Sequence, residues 1–252
     1  MVRILLLQLI AHTISDFYLQ NDKLCEDKAK NGFKSPKLYI HALITFVCAW
    51  LLSFSFNFWW MALIIAASHL LVDAMKSRAS KCKNIFFIDQ IIHVVVIVVA
   101  CYFWKGGLPE CLCCLDEKYV ALLLGGIICL KPSNIIIKEI ITSADVKVNN
   151  RNDDANGGEV PDKKNDSEVS DDKKESDLPN AGKLIGKVER LLSFVFVLLG
   201  QYEAVGFIIA AKSLLRFAEG DKAKSEYVLI GTLLSFSMAI IVGVAIKLYY
   251  GL

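Results

Sequence analysis

Net charge is nearly absent from this chain, and histidine is scarce. Four histidines stand among 252 residues, and 28 basic against 26 acidic side chains leave a formal charge of +2. So small an excess suggests no nucleic-acid partner held by counterion release, and no basic, aromatic-interleaved patch appears outside the membrane flanks. Cysteine pairs at zinc-knuckle spacing are lacking too. Of eight cysteines only Cys111, Cys113 and Cys114 cluster, as C-x-C-C and not as C-x-x-C pairs. They read as loop cysteines, with a disulfide open to them if the loop faces an oxidising compartment. Cys48, Cys101 and Cys129 fall in apolar runs, where a thiol serves as a small hydrophobe. The N-terminal MVRILLLQLI is followed by no small-residue cleavage site, so it reads as a retained span.

What the chain has in abundance is long apolar runs. Hydrophobic residues make up 55% of it, and the mean hydropathy is +0.47 even with a long polar insert included. A span needs about 20 apolar residues to cross the hydrocarbon. Candidate helices fall at about 2–20, 38–56, 58–76, 85–104, 118–141, 184–200, 202–218 and 226–250. The expected fold is an all-α, polytopic integral-membrane bundle of about eight transmembrane or membrane-embedded helices. Lys131-Pro132 interrupts the fifth, so Pro132 is expected to kink it or to start a short interfacial helix. The sixth and seventh are short, with Gly200-Gln201 as a tight turn between them.

Between 143 and 181 the composition changes completely. NNRNDDANGGEVPDKKNDSEVSDDKKESDLPN has no aromatic residue and almost no aliphatic one. It cannot bury enough apolar surface to offset its chain entropy, and disorder is expected there. The division is therefore an N-terminal five-helix block (1–142), a polar linker (143–181) and a C-terminal three-helix block (182–252). Basic residues set the orientation. Lys23, Lys28, Lys30, Lys34 and Lys37 follow the first helix, Lys76, Arg78, Lys81 and Lys83 the third, and Lys222 and Lys224 the seventh. The opposite loops carry almost none. With eight spans, the basic loops and the linker face the cytoplasm, and both termini and the Cys111–Cys114 loop lie outside.

Every histidine sits in an apolar segment, and three lie four residues from an aspartate: His12/Asp16, His69/Asp73 and His93/Asp89. Residues four apart share one helix face. His41 stands near the start of the second span. The topology puts all seven side chains within about three helical turns of the cytoplasmic boundary. Ionisable groups inside a span are costly and default to a functional role. Imidazoles and carboxylates are ligands for zinc, manganese or iron, and carboxylates alone for magnesium. His12, Asp16, His41, His69, Asp73, Asp89 and His93 are thus candidate ligands for one or two divalent ions, with Asp16, Asp73 and Asp89 as candidate catalytic bases. Gln20 and Gln90 are placed to bind substrate or water, and Lys76 to meet a phosphate. Two other readings stay open: a structural network of hydrogen-bonded pairs, and a His/Asp relay for protons or ions.

In the last block, GKLIGKVERLLSF places Lys187, Glu189 and Arg190 at the start of the sixth helix, and AAKSLLRFAE puts Lys212 and Arg216 four apart near the end of the seventh. They read as snorkelling residues or as an anion clamp built from Arg190, Lys212 and Arg216. The order AHTISDFYLQ, isolated His41, SHLLVDAMK and FIDQIIH resembles an uncharacterised family of bacterial multi-pass membrane proteins. GKLIGKVERLLSF and AAKSLLRF are similar to a segment of that family's longer members. The resemblance covers about 3–104 and 182–240. It implies an all-helical bacterial inner-membrane protein and supplies no activity. The leading expectation is a divalent-metal-dependent, membrane-embedded hydrolase acting at the cytoplasmic leaflet on a lipid phosphate or other amphiphile. The alternatives are a proton- or ion-conducting transporter, channel or membrane effector, and a non-catalytic scaffold whose linker recruits a cytoplasmic protein.

Overall fold

The structure is a computed structural model, and it describes residues 1–78, 85–104, 106, 116–144, 181–217 and 222–252. The expectations for the Cys111–Cys114 loop, the linker at 145–180 and the loop lysines Lys81 and Lys83 lie outside the described residues. Helices in chain order are α1 (Val2–Thr13), continued by a π-helical turn (Ile14–Tyr18), α2 (Asp22–Asn31), α3 (Pro36–Ser53), α4 (Trp59–Arg78) and α5 (Ile85–Phe103). They are followed by α6 (Glu117–Ser143), α7 (Ala181–Leu198), α8 (Tyr202–Phe217) and α9 (Lys222–Tyr250). The described residues form no strand, and the all-α expectation holds.

Five of the described helical stretches are long and apolar enough to cross a bilayer: Pro36–Ser53, Phe56–Lys76, Ile85–Phe103, Glu117–Ser143 and Leu229–Tyr250. Their outward faces are apolar; Leu43, Ile91 and Leu248 are each more than 60% exposed. Water would penalise such a surface, whereas lipid accepts it, and helices leave no backbone polar group unpaired in lipid. α1 with its π turn, α7 and α8 fall short of those criteria but pack into the same bundle.

α1 packs on α3, α5 and α6; α4 packs on α3 and α5; α6 in turn packs on α7 and α9. α6 is therefore a wall shared by the N- and C-terminal helices. At the end where α3 turns into α4, Ile4, Ala49, Phe58, Met61, Ala62, Ile65, Ile97, Ala100 and Cys101 form a dry core. The polar residues occupy the other end, beneath α2.

Two local features depart from the expectation. The stretch after the first helix holds α2, capped by Asn21, whose Oδ1 accepts from Leu24 N at 2.9 Å. Its lysines make it too polar for a hydropathy window, so it is legible only as a basic loop. Of the two outcomes expected at Pro132, the separate interfacial helix is not formed: α6 runs on with Pro132 inside it. Proline removes the donor for the carbonyl four residues back, and here the Ser133 hydroxyl donates to Ile128 O at 2.7 Å instead. The expected turn at Gly200-Gln201 is present as a Schellman cap. Gln201 N donates to Phe196 O at 2.8 Å, Gly200 N donates to Val197 O at 3.1 Å, and Gly200 takes the left-handed φ of 73°.

Candidate metal centre

Four helices deliver the seven His and Asp side chains to one place. α1 carries His12 in its last turn, and the next turn winds as a π-helix that carries Asp16. Such turns insert one extra residue and gather at functional sites. Ser15 is tied to Thr45 of α3 by a 2.7 Å hydroxyl–hydroxyl hydrogen bond, and Thr45 donates to His41 O at 3.0 Å. One turn nearer the dry core, Gln8 donates to Ala49 O at 2.9 Å. These bonds lock α1 to α3 in the register that sets Asp16 against His41.

The geometry is close-knit. Asp16 Oδ1 lies 3.7 Å from His12 Nδ1, 3.5 Å from His41 Nε2 and 3.3 Å from His69 Nε2. His41 and His69 share a 2.9 Å hydrogen bond between their Nε2 atoms. Asp73 Oδ2 stands 3.8 Å from His41 Nε2 and 3.9 Å from His69 Nε2, while its Oδ1 is 4.0 Å from His93 Nε2. His93 Nε2 is 3.3 Å from Asp89 Oδ1. The His69 and His93 rings stack with centroids 3.9 Å apart, and His12 meets His93 at 5.4 Å. All seven side chains are buried.

Three overlapping groups offer ligand atoms within 4.8 Å of one another: His12, Asp16 and His69; His41, His69 and Asp73; Asp73, Asp89 and His93. Five atoms of the cluster, His12 Nε2, Asp16 Oδ1, His41 Nδ1, Asp89 Oδ1 and His93 Nε2, are buried without a hydrogen-bond partner. A buried polar atom left without any partner costs about 1–3 kcal/mol, so several of them facing one another suit a bound ion or water. Lone pairs on nitrogen and carboxylate oxygen facing one another fit a divalent cation.

Two lysines complete the electrostatics. Lys28 of α2 reaches up to Asp73 Oδ2 at 2.5 Å with its own side chain only 9% exposed, and Lys76 donates to Asp89 Oδ2 at 2.8 Å. The Asp16 carboxylate faces imidazoles instead. A cavity of about 440 Å³ opens beside the cluster, walled by Asp16, Asp73 and Asp89, by Lys28, Lys76, Lys131 and Lys138, and by Phe17, Ile85, Phe86 and Ile135, among others.

Of the residues expected to bind substrate, Gln20, Lys76 and Gln90 line this cavity. Arg190 and Lys212 do not. Arg190 turns into the α6–α7–α9 interface, and Lys212 pairs with Glu189. The side chain of Arg216 lies outside the described residues. Spacing does not single out Lys28, Lys131 or Lys138. Lys28 reads in sequence as one of five loop lysines, and Lys131 and Lys138 gain meaning only from being seven apart on α6.

No curated protein and no solved structure matches the chain. Residues 4–113, which include all seven candidate ligands and stop before α6, match the model of a family described as Protein of unknown function (DUF3307), so the segment that carries the His/Asp cluster is similar to that family and the C-terminal helices lie beyond the match.

Proposed function

We propose that the chain is a membrane-embedded, divalent-metal-dependent hydrolase that acts at the cytoplasmic leaflet on a lipid phosphate or a similar amphiphile. The observation carrying this reading is the meeting of seven buried His and Asp side chains beside an open, half-apolar cavity. His12, His41, His69 and Asp16 supply the nitrogen-rich set, and Asp73, Asp89 and His93 the carboxylate-rich one. A bound divalent ion would provide a water acidic enough to attack at neutral pH. Asp73 and Asp89, each steadied by a lysine, are placed to accept that water's proton. Four carboxylates and four ammonium groups line the cavity. One divalent ion therefore turns its balance positive, which suits a phosphate. Phe17, Ile85, Phe86 and Ile135 offer the apolar wall that an acyl chain needs.

The His41–His69 hydrogen bond favours a second reading, a proton relay. Against it stands the apolar core around Phe58, which packs α1, α3, α4 and α5 together beyond Gln8. Elemental analysis of detergent-purified protein tests the first reading. Zinc, manganese or iron is expected near one or two ions per chain, lost in both His12→Ala and His69→Ala, together with hydrolysis of phosphatidate in mixed micelles. Protein free of transition metal and unresponsive to added Mg²⁺ or Mn²⁺ sinks the proposal; pH-dependent proton flux in liposomes without hydrolysis would replace it with the relay.

A further inference from the structure

One turn of α6, between the two sets of helices, is bridged by a side chain from the end of the first helix; it is an open turn in that Pro132 withholds one of its donors. Tyr18 donates its hydroxyl to Ile127 O at 3.0 Å and accepts from Lys131 N at 3.4 Å. Those residues are four apart, so the phenol sits where the helical hydrogen bond between them would run. The following carbonyl, of Ile128, is the one Pro132 leaves without its donor. The next two face α7: Arg190 donates through Nε to Cys129 O at 2.7 Å and through Nη2 to Leu130 O at 3.4 Å. The same guanidinium reaches Asn134 Oδ1 at 2.6 Å and Ser235 Oγ at 2.9 Å. Arg190 is 3% exposed, and each of these acceptors is neutral; the adjacent Glu189 is taken by Lys212. Burying a guanidinium on neutral acceptors is costly and calls for a reason.

The reason lies on the other side of the open turn. Tyr18 is the last residue of the π turn whose middle residue is Asp16. That turn is pinned to α3 through Ser15 and to α6 through Tyr18. Relaxing it to α winding would rotate Asp16 away from the three imidazoles it faces. We infer that Arg190 is a positioning residue for the His/Asp centre: it holds the carbonyl side of the open α6 turn, which seats Tyr18 and thereby fixes Asp16. The C-terminal helices then serve to brace a centre whose ligands all lie outside them. The metal arm of its test rests on the proposed function; the exchange arm does not.

The experiment compares full-length wild type, Arg190→Met, Tyr18→Phe and the double variant in detergent. Zn²⁺ affinity is read against a chromophoric chelator, and amide hydrogen exchange is followed in metal-free protein. Each single change is expected to weaken Zn²⁺ binding by about tenfold, as loss of a ligand-orienting partner does, and the double change by no more than either single one. Exchange at residues 14–18 should accelerate in Arg190→Met while the middle of α4 keeps its wild-type rate. If Arg190→Met fails to fold, Tyr18→Phe decides: it must speed exchange at both 14–18 and 127–134. Unchanged exchange at 14–18, or Zn²⁺ losses that multiply in the double variant, overturns the inference. Absence of Zn²⁺ binding in the wild type overturns the metal reading instead and leaves the exchange arm to judge Arg190.

Discussion

Lys28 shows how one side chain alters the chemistry of a carboxylate cluster. Its ammonium lies 2.5 Å from Asp73 Oδ2 in a buried setting, so it supplies the counter-charge that would otherwise fall to a metal ion. Removing one partner of a buried ion pair costs about 3–5 kcal/mol. Lys28→Met should therefore lower the thermal stability of metal-stripped protein by that order. Zn²⁺ should recover much of the loss, since a divalent ion at the centre replaces the missing charge on Asp73. An equal loss with and without Zn²⁺, measured by thermal unfolding in detergent, would show that Lys28 and the ion do not compete for the same carboxylate. The meeting of the seven His and Asp residues is largely legible in sequence, because ionisable residues four apart within an apolar run are too costly to stand there without partners. Lys28 is not: nothing in a lysine-rich loop marks which lysine turns inward. Arg190 is legible as a charge near a helix start but not as a cap for carbonyls, since backbone acceptors carry no sequence signature.

Among the elements, α6 joins the two sets of helices. Gly125 lets it approach closely: a Cβ there would stand 2.7 Å from both the Phe194 ring of α7 and Ile246 Cδ1 of α9. Small residues at such crossings are how membrane helices gain packing contact. Gly125→Val is expected to cost about 1–3 kcal/mol through overpacking. The change should appear as a lower unfolding temperature, with exchange rising first in α7 and α9; an unaltered melting profile would show that the crossing is looser than its geometry. Eight apolar segments can be read from hydropathy alone, and their order and extent hold to within a few residues. What hydropathy misses is α2, because its helical pattern is carried by charged residues, and the continuity of α6, because proline's missing donor is made good by a serine whose target is visible only in three dimensions.

At the scale of the molecule, the His/Asp cluster is assembled from α1 with its π turn, α3, α4 and α5 and braced by α6 to α9, and none of the seven candidate ligands belongs to the polar stretch between α6 and α7. Deleting residues 145–178 should leave metal content and hydrolysis within about twofold of wild type, as expected where a long polar connection is a spacer and not a part of the chemistry. Loss of function with the metal retained would instead favour the scaffold reading, with that stretch as its recruiting segment. The family similarity over residues 4–113 covers the ligand-bearing helices. It adds no activity, so the reaction has to be established from the centre outward.

The dry core around Phe58 has an electrical consequence. On the proposed function, a membrane crowded with this protein would stay insulating, since the apolar side chains packed around Phe58 are separate from the residues that wall the charged chamber. On that same reading, the chain would process material on one leaflet without draining the voltage stored across the bilayer.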